Sequence, residues 1–225
     1  SDCMRVNELH SIKRFPSCGA CHPTTQAALD LAAEHHFQAG DIHAVDLYLG
    51  EGGNEMAGAP FTLGANPQAD AQFSAAYGVA VALLRREAGI GRYRDQAIRE
   101  DVETTELAKQ IRVLKHLDSP PDRKSFDDDE PFWVDQPHQV RVTLASGQTL
   151  TQVHSIRDVL SPDPRGFDVA AAKLRECCSA TGLFSADRAE AIVDAVARLG
   201  DAANAQALLA QCKGDPCMPR PGSVQ

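Results

Sequence analysis

Hydrophobic and polar positions along this chain repeat with two different periods, and their order predicts the elements. Val45, Leu47 and Leu49 alternate with Ala44, Asp46 and Tyr48, the period of a strand that buries one face. Ahead of it, Pro23, Thr24, Thr25 and an Ala/Leu-rich run to Phe37 predict a helix with proline in its first turn and Gly40 beyond its end. Gly50 to Gly64 holds five glycines in fifteen residues, which predicts a loop. Phe73, Tyr77, Ala80, Val81 and Leu84 then fall at i, i+4, i+7, i+8 and i+11, so one helix should bury this stripe and an aromatic pair with it. Asp101 can cap a short helix through Lys109 that runs into the apolar stretch Ile111 to Leu114. Val140, Val142 and Leu144 form a second alternating face, and Ser146-Gly147 turns it back into Thr149 to His154, a hairpin.

After Pro162 and Pro164 only the helical period remains. Phe167, Ala170, Ala171, Leu174, Cys177 and Cys178 make one stripe, Ser185 caps a helix carrying Ile192, Val193, Val196 and Leu199, and Asp201 begins another ending near Leu209. Three short amphipathic helices must bury their stripes on each other or on a helical partner. Between the strands lies Asp118 to Pro137, twenty residues with four prolines and the acidic run Asp127-Asp128-Asp129-Glu130, best read as a solvated surface excursion. No internal repeat is visible. The class is α+β.

Composition narrows the partners. At 225 residues and 43% hydrophobic content the chain can bury one substantial core or two smaller ones. A formal net charge of −9 argues against a main task of neutralising nucleic-acid phosphates or anionic lipid. No window approaches the roughly eighteen apolar residues of a membrane span, and no basic segment followed by an apolar core marks an export signal, so a cytoplasmic location is expected. The cysteines, Cys3, Cys18, Cys21, Cys177, Cys178, Cys212 and Cys217, are odd in number and are expected to be reduced thiols.

Two segments carry chemistry. Lys13, Arg14 and His22 lie in Ile12-Lys13-Arg14-Phe15-Pro16-Ser17-Cys18-Gly19-Ala20-Cys21-His22-Pro23, immediately before a helix whose free N–H groups favour anions. That arrangement could clamp a carboxylate or phosphate. On spacing alone the plainer reading, two exposed cations and a helix-capping histidine, is favoured. The second segment, Asn66 to Ala80, carries Ala71-Gln72-Phe73-Ser74-Ala75-Ala76-Tyr77-Gly78-Val79-Ala80, in which Tyr77 is more readily a core residue than a catalyst.

Taken together, the segments resemble the MmgE/PrpD family, which includes 2-methylcitrate dehydratase of propionate catabolism. The first is similar to that family's Lys-x-Tyr/Phe-Pro-x-Cys-x-x-x-His-Pro signature, and the second to its Ala-Gln-Phe-Ser-x-x-Tyr-x-Val-Ala helix. Elements occur in matching order from about Ser11 to Gln211. The resemblance implies a small mixed α/β domain followed by helices that belong to a larger all-helical domain: a tail over 1–10, the α/β domain over 11–161, C-terminal helices over 162–212 and a tail over 213–225. It further implies a hydro-lyase acting on 2-methylcitrate or a related hydroxy-tricarboxylate, with isomerase, epimerase or decarboxylase activity as the alternative, and no metal or organic cofactor. Lys13 matches a family active-site lysine, and Arg14, Cys18 and His22 are expected to contact substrate, with Tyr77 behind them. Cys18 stands where the decarboxylase branch has a histidine, which leans towards the dehydratases. Family chains begin with a long helical domain that supplies most acid/base residues. Nothing before Ser11 corresponds to it, so the expected partners are that helical half, a small carboxylate substrate and a second copy in a homodimer, with neither nucleic acid nor membrane.

Two rival readings come from another class. Cys18-Gly19-Ala20-Cys21-His22 fits the Cys-x-x-Cys-His haem attachment pattern, with Met56 as an axial ligand, but Pro23 and the missing export signal oppose it. Cys18 and Cys21 could instead join Cys212 and Cys217 around zinc, although Cys212-x4-Cys217 is a loose spacing.

Overall fold

The computed structural model describes residues 12–115, 136–159, 166–201 and 205–213. It divides into two compact units, Lys13–Pro162 and a second comprising Ser1–Ile12 with Asp163–Gln225. Helices and one four-stranded mixed sheet make this an α+β structure. The acidic excursion before Gln136, Pro162, Pro164, Cys3, Cys217 and most of both tails lie outside the described residues.

In the first unit, a 3-10 turn at Gly19–Cys21 leads into α1 (His22–Glu34), followed by β1 (Ile42–Leu49), α2 (Glu51–Ala57), α3 (Pro67–Gln72), α4 (Ala75–Arg85), α5 (Asp95–Glu100) and α6 (Val102–Gln110). The strands β2 (Arg112–Lys115), β3 (His138–Leu144) and β4 (Thr149–His154) follow, and α7 (Ile156–Val159) closes the unit. The sheet order is β2-β1-β3-β4, with β2 parallel to β1 and the other pairings antiparallel. Val45, Leu47 and Leu49 of β1 and Val140 and Val142 of β3 are buried as the alternation predicts, in the same core as Ala27, Ala28 and Leu31 of α1. α1 packs on α4, β3 and β4. The approach of α1 to α4 is close: a Cβ on Gly78 would lie 2.5 Å from Thr25 Oγ1.

Four local expectations are corrected. α1 ends at Glu34 and not at Phe37, because His35 is already extended. The Gly50–Gly64 segment is not all loop; its first half is α2, bounded by Gly50 and Gly58. Gly53 is there to let the helix approach β3, since a Cβ at that position would stand 2.4 Å from the His138 ring. The stripe from Phe73 to Leu84 spans two helices. Ser74 breaks it, its hydroxyl accepting from Tyr77 N–H as the N-cap of α4, and Phe73 projects to solvent at 61% exposure. The buried partners of Tyr77 are Phe61 and Tyr93. α4 is buried from Ala75 through Leu83, on all sides and not along one stripe. The cap on α6 is as expected, with the Asp101 carboxylate accepting from Thr104 N–H at 3.2 Å.

The face of the sheet opposite the core is polar at its centre. Asp46 on β1 neighbours Arg112 on β2 and Arg141 on β3. Arg112 donates twice to its carboxylate, at 2.6 and 2.9 Å, and this bidentate pair accounts for a buried acid within a strand. Arg141 donates to Tyr48 Oη at 2.8 Å and lies over the same ring.

The second unit contains α8 (Phe167–Thr181), α9 (Ala186–Ala197) and α10 (Gln206–Gln211). Ser185 caps α9 as predicted, accepting from Arg188 N–H. α8 and α9 pack together and share an Arg175–Glu190 pair with contacts of 2.6 and 2.8 Å. Arg188 donates to the Gln211, Ala210 and Lys213 carbonyls at the end of α10. Asp201 does not begin that helix; it ends a 3-10 turn, and α10 starts at Gln206.

Candidate active site

The segment before α1 folds back on itself because its own backbone provides the acceptors. Lys13, exposed, donates from Nζ to the Ser17 carbonyl at 3.1 Å, and Cys21 N–H donates to the Cys18 carbonyl at 2.9 Å. A second anchor comes from the end of α3. Cys18 N–H donates to the Gln72 carbonyl at 2.8 Å, and the Cys21 thiol points at the same oxygen from 3.9 Å. Segments far apart in sequence thus form one wall.

That wall lines a cavity of about 320 Å³, bounded by Lys13, Pro16, Ser17, Cys18, Gln72 and Phe73. It presents one ammonium, one half-buried thiol, an amide side chain and the apolar surfaces of Pro16 and Phe73. Concave, mostly apolar surface with a few placed polar groups is the usual form of a small-molecule site.

The expected site residues are not all at this cavity. Lys13 and Cys18 line it, whereas Arg14, His22 and Tyr77 do not. Arg14 is exposed, with its guanidinium 5.9 Å from the Phe15 ring centre. His22 is fully buried as the first residue of α1, its ring edge-on to Phe15 at 5.2 Å. The N-cap of α1 is Cys21, so His22 is within the helix and not its cap. Every residue of that first turn, His22 through Thr25, is buried, and the Thr24 and Thr25 hydroxyls donate to the Cys21 carbonyl. The turn is therefore enclosed. The Tyr77 phenol donates to the Arg92 carbonyl at 2.7 Å, and burial raises its pKa. Burial likewise pushes the Cys21 thiol up, which keeps it protonated. Among the described residues no group of three or more His, Cys, Asp or Glu side chains is placed to hold a metal ion.

In a comparison against protein-family models, residues 15–200 match the MmgE/PrpD C-terminal domain. The chain belongs to the MmgE/PrpD family. Its members are hydro-lyases and related enzymes. A search of curated proteins found no match. Within the MmgE/PrpD domain, Pro16, Ser17, Gln72 and Phe73 are the cavity residues that residue-type reasoning passed over. Gln72 acts in the wall through its backbone, which side-chain patterns do not show. Ser17 could have been noticed only from its place between Lys13 and Cys18. No helix among the described residues is long and apolar enough to cross a membrane.

Proposed function

We propose that this MmgE/PrpD domain supplies the carboxylate-binding side of a hydro-lyase site for 2-methylcitrate or a related hydroxy-tricarboxylate. The observation that carries the proposal is the cavity where the Lys13 segment and the Gln72-Phe73 segment meet. Dehydration removes a proton beside a carboxylate and expels the hydroxyl as water, so negative charge grows on the carboxylate-bearing carbon in the transition state. An ammonium held beside that carboxylate lowers the barrier. Lys13 is suited to this because one of its N–H bonds is tied to the Ser17 carbonyl while the others remain for ligand.

The base that takes the C–H proton and the acid that protonates the hydroxyl are proposed to come from the helical portion of the same enzyme, with this domain closing over the substrate. Arg14, exposed and next to Lys13 in the chain, adds long-range attraction for a polyanion. The side chain of Phe73 and the ring of Pro16 offer an apolar wall to an alkyl substituent. Isomerase or decarboxylase chemistry would use the same cation, because each also builds charge beside a carboxylate.

The test is reconstitution with the helical portion of the enzyme and 2-methylcitrate, following growth of conjugated-alkene absorbance. Lys13→Ala should lower the rate roughly ten- to a hundredfold through loss of a charge-assisted contact. Lys109→Ala, in an exposed pair with Glu106 on α6, should leave it unchanged. An unchanged rate in Lys13→Ala would move the active site elsewhere.

A further inference from the structure

We propose that Cys18 and Cys21 form a reversible disulfide across the turn before α1, by exchange with a low-molecular-weight disulfide such as oxidised glutathione. The motif Cys18-Gly19-Ala20-Cys21 is the part of this segment that carboxylate binding leaves unused, and its chemistry is independent of the substrate assigned above. Both thiols are free, and among the described residues no group of three or more His, Cys, Asp or Glu is placed to enlist them for a metal ion. What remains is the chemistry of the pair itself.

The backbone sets the two residues at disulfide distance. Cys18 has φ −57° and ψ 139°, Cys21 is helical at φ −82° and ψ −19°, and the Cys21 N–H donates to the Cys18 carbonyl at 2.9 Å. A turn closed in this way holds its end Cα atoms within about 7 Å, and a disulfide spans roughly 4.4–6.8 Å. The side chains meet at a common point as well. The Gln72 carbonyl accepts from Cys18 N–H at 2.8 Å and lies 3.9 Å from Cys21 Sγ, so one oxygen touches both cysteines. Burial raises the Cys21 pKa most, the Cys18 sulfur adds to it and the Lys13 ammonium opposes it, which puts both neighbours within electrostatic reach of Cys21.

Access divides the roles. Cys18 is half-buried and lines the cavity, whereas Cys21 is fully buried, so of the two only Cys18 meets an oxidant directly. Its thiolate attacks one sulfur of oxidised glutathione; a mixed S–S bond forms, the oxidant's S–S bond breaks and one glutathione leaves. The Cys21 thiolate then attacks the Cys18 sulfur, the internal bond forms and the second glutathione is expelled. Two cysteine thiols are oxidised, one glutathione disulfide is reduced to two thiols, and the two protons lost by the cysteines end on the departing sulfurs. The cavity wall thereby loses its thiol.

The experiment incubates the native chain with oxidised glutathione and then blocks the remaining thiols with iodoacetamide in urea. The non-reduced tryptic peptide Phe15–Arg85, which holds only these two cysteines, is weighed by mass spectrometry. It should have lost two hydrogens, carry neither an alkyl group nor glutathione, and recover both thiols with dithiothreitol. Cys21→Ser should stop at the first step, with one glutathione held on Cys18. Cys18→Ser should leave Cys21 reduced and free of glutathione, because the oxidant does not reach it. Far-UV circular dichroism checks that each protein is folded during the incubation, and Cys21→Ala replaces Cys21→Ser should the latter not fold. A wild-type peptide that keeps glutathione on Cys18 overturns the proposal, since the second thiol then fails to reach the first. So does a wild-type peptide alkylated at both cysteines, and so does uptake of glutathione by Cys21 in folded Cys18→Ser.

Discussion

Asp101 shows how much one side chain holds in this domain. Its carboxylate accepts from Arg85 Nε at 2.8 Å and from Nη2, and it caps α6 through Thr104 N–H. The Arg85 hydrogen bonds are the main cause of a pKa lowered to about 2. A carboxyl depressed in the folded state contributes stability above its unfolded value of 3.8, and that contribution is lost as pH falls towards 2. Asp101→Asn should therefore cost about 1–2 kcal/mol at neutral pH, after allowing for partial solvent screening, and the gap should close on acidification. Paired thermal melts of the two proteins at pH 6 and pH 2.5 measure it; a gap that persists at the lower pH would place the effect in the cap and not in the charge. The cap was legible in the sequence. The salt bridge from Arg85 was not, since it joins helices whose meeting depends on the tertiary fold.

At the scale of elements, glycine misled where composition was allowed to stand for geometry. The Gly50–Gly64 stretch reads as loop because glycine lowers helix propensity, but α2 forms there and uses Gly53 to reach the His138 ring. Gly53→Ala, normally favourable in a helix, should instead destabilise by about 1–3 kcal/mol, because the new methyl would fall 2.4 Å from a ring carbon. Chemical denaturation of the variant decides the sign. Likewise the run from Phe73 to Leu84 keeps a helical period across a real break, because Ser74 caps α4 within it and leaves Phe73 at the cavity. The hairpin β3-β4, the caps at Asp101 and Ser185 and the β1 alternation were readable, since local spacing alone determines them. The cavity was not, because it needs a backbone carbonyl at the end of α3 to meet a turn before α1.

For the whole molecule, the C-terminal unit bears on association. Of the predicted stripes, Ile192 is buried and Leu174 is half-buried, so those two are already occupied in packing. Phe167, Val169, Val196, Leu199 and Leu209 remain 40% or more exposed. Exposed apolar side chains in such number favour self-association. Sedimentation velocity should show a concentration-dependent dimer that Val196→Ser with Leu209→Ser weakens, whereas Ile192→Ser should unfold the unit instead; a monomer at every concentration would remove the case for a homodimer. The strand order has a different consequence, for synthesis. β1 lies at the centre of the sheet, between β2 and β3, yet it is made before either. Its apolar face must wait on the ribosome while α2 to α6 emerge, and both of its edges stay unpaired for that interval. Long-range pairing of this kind folds slowly and leaves strands open to wrong partners. The growing chain is therefore most in need of a chaperone in the interval between the release of Leu49 and the arrival of Val140.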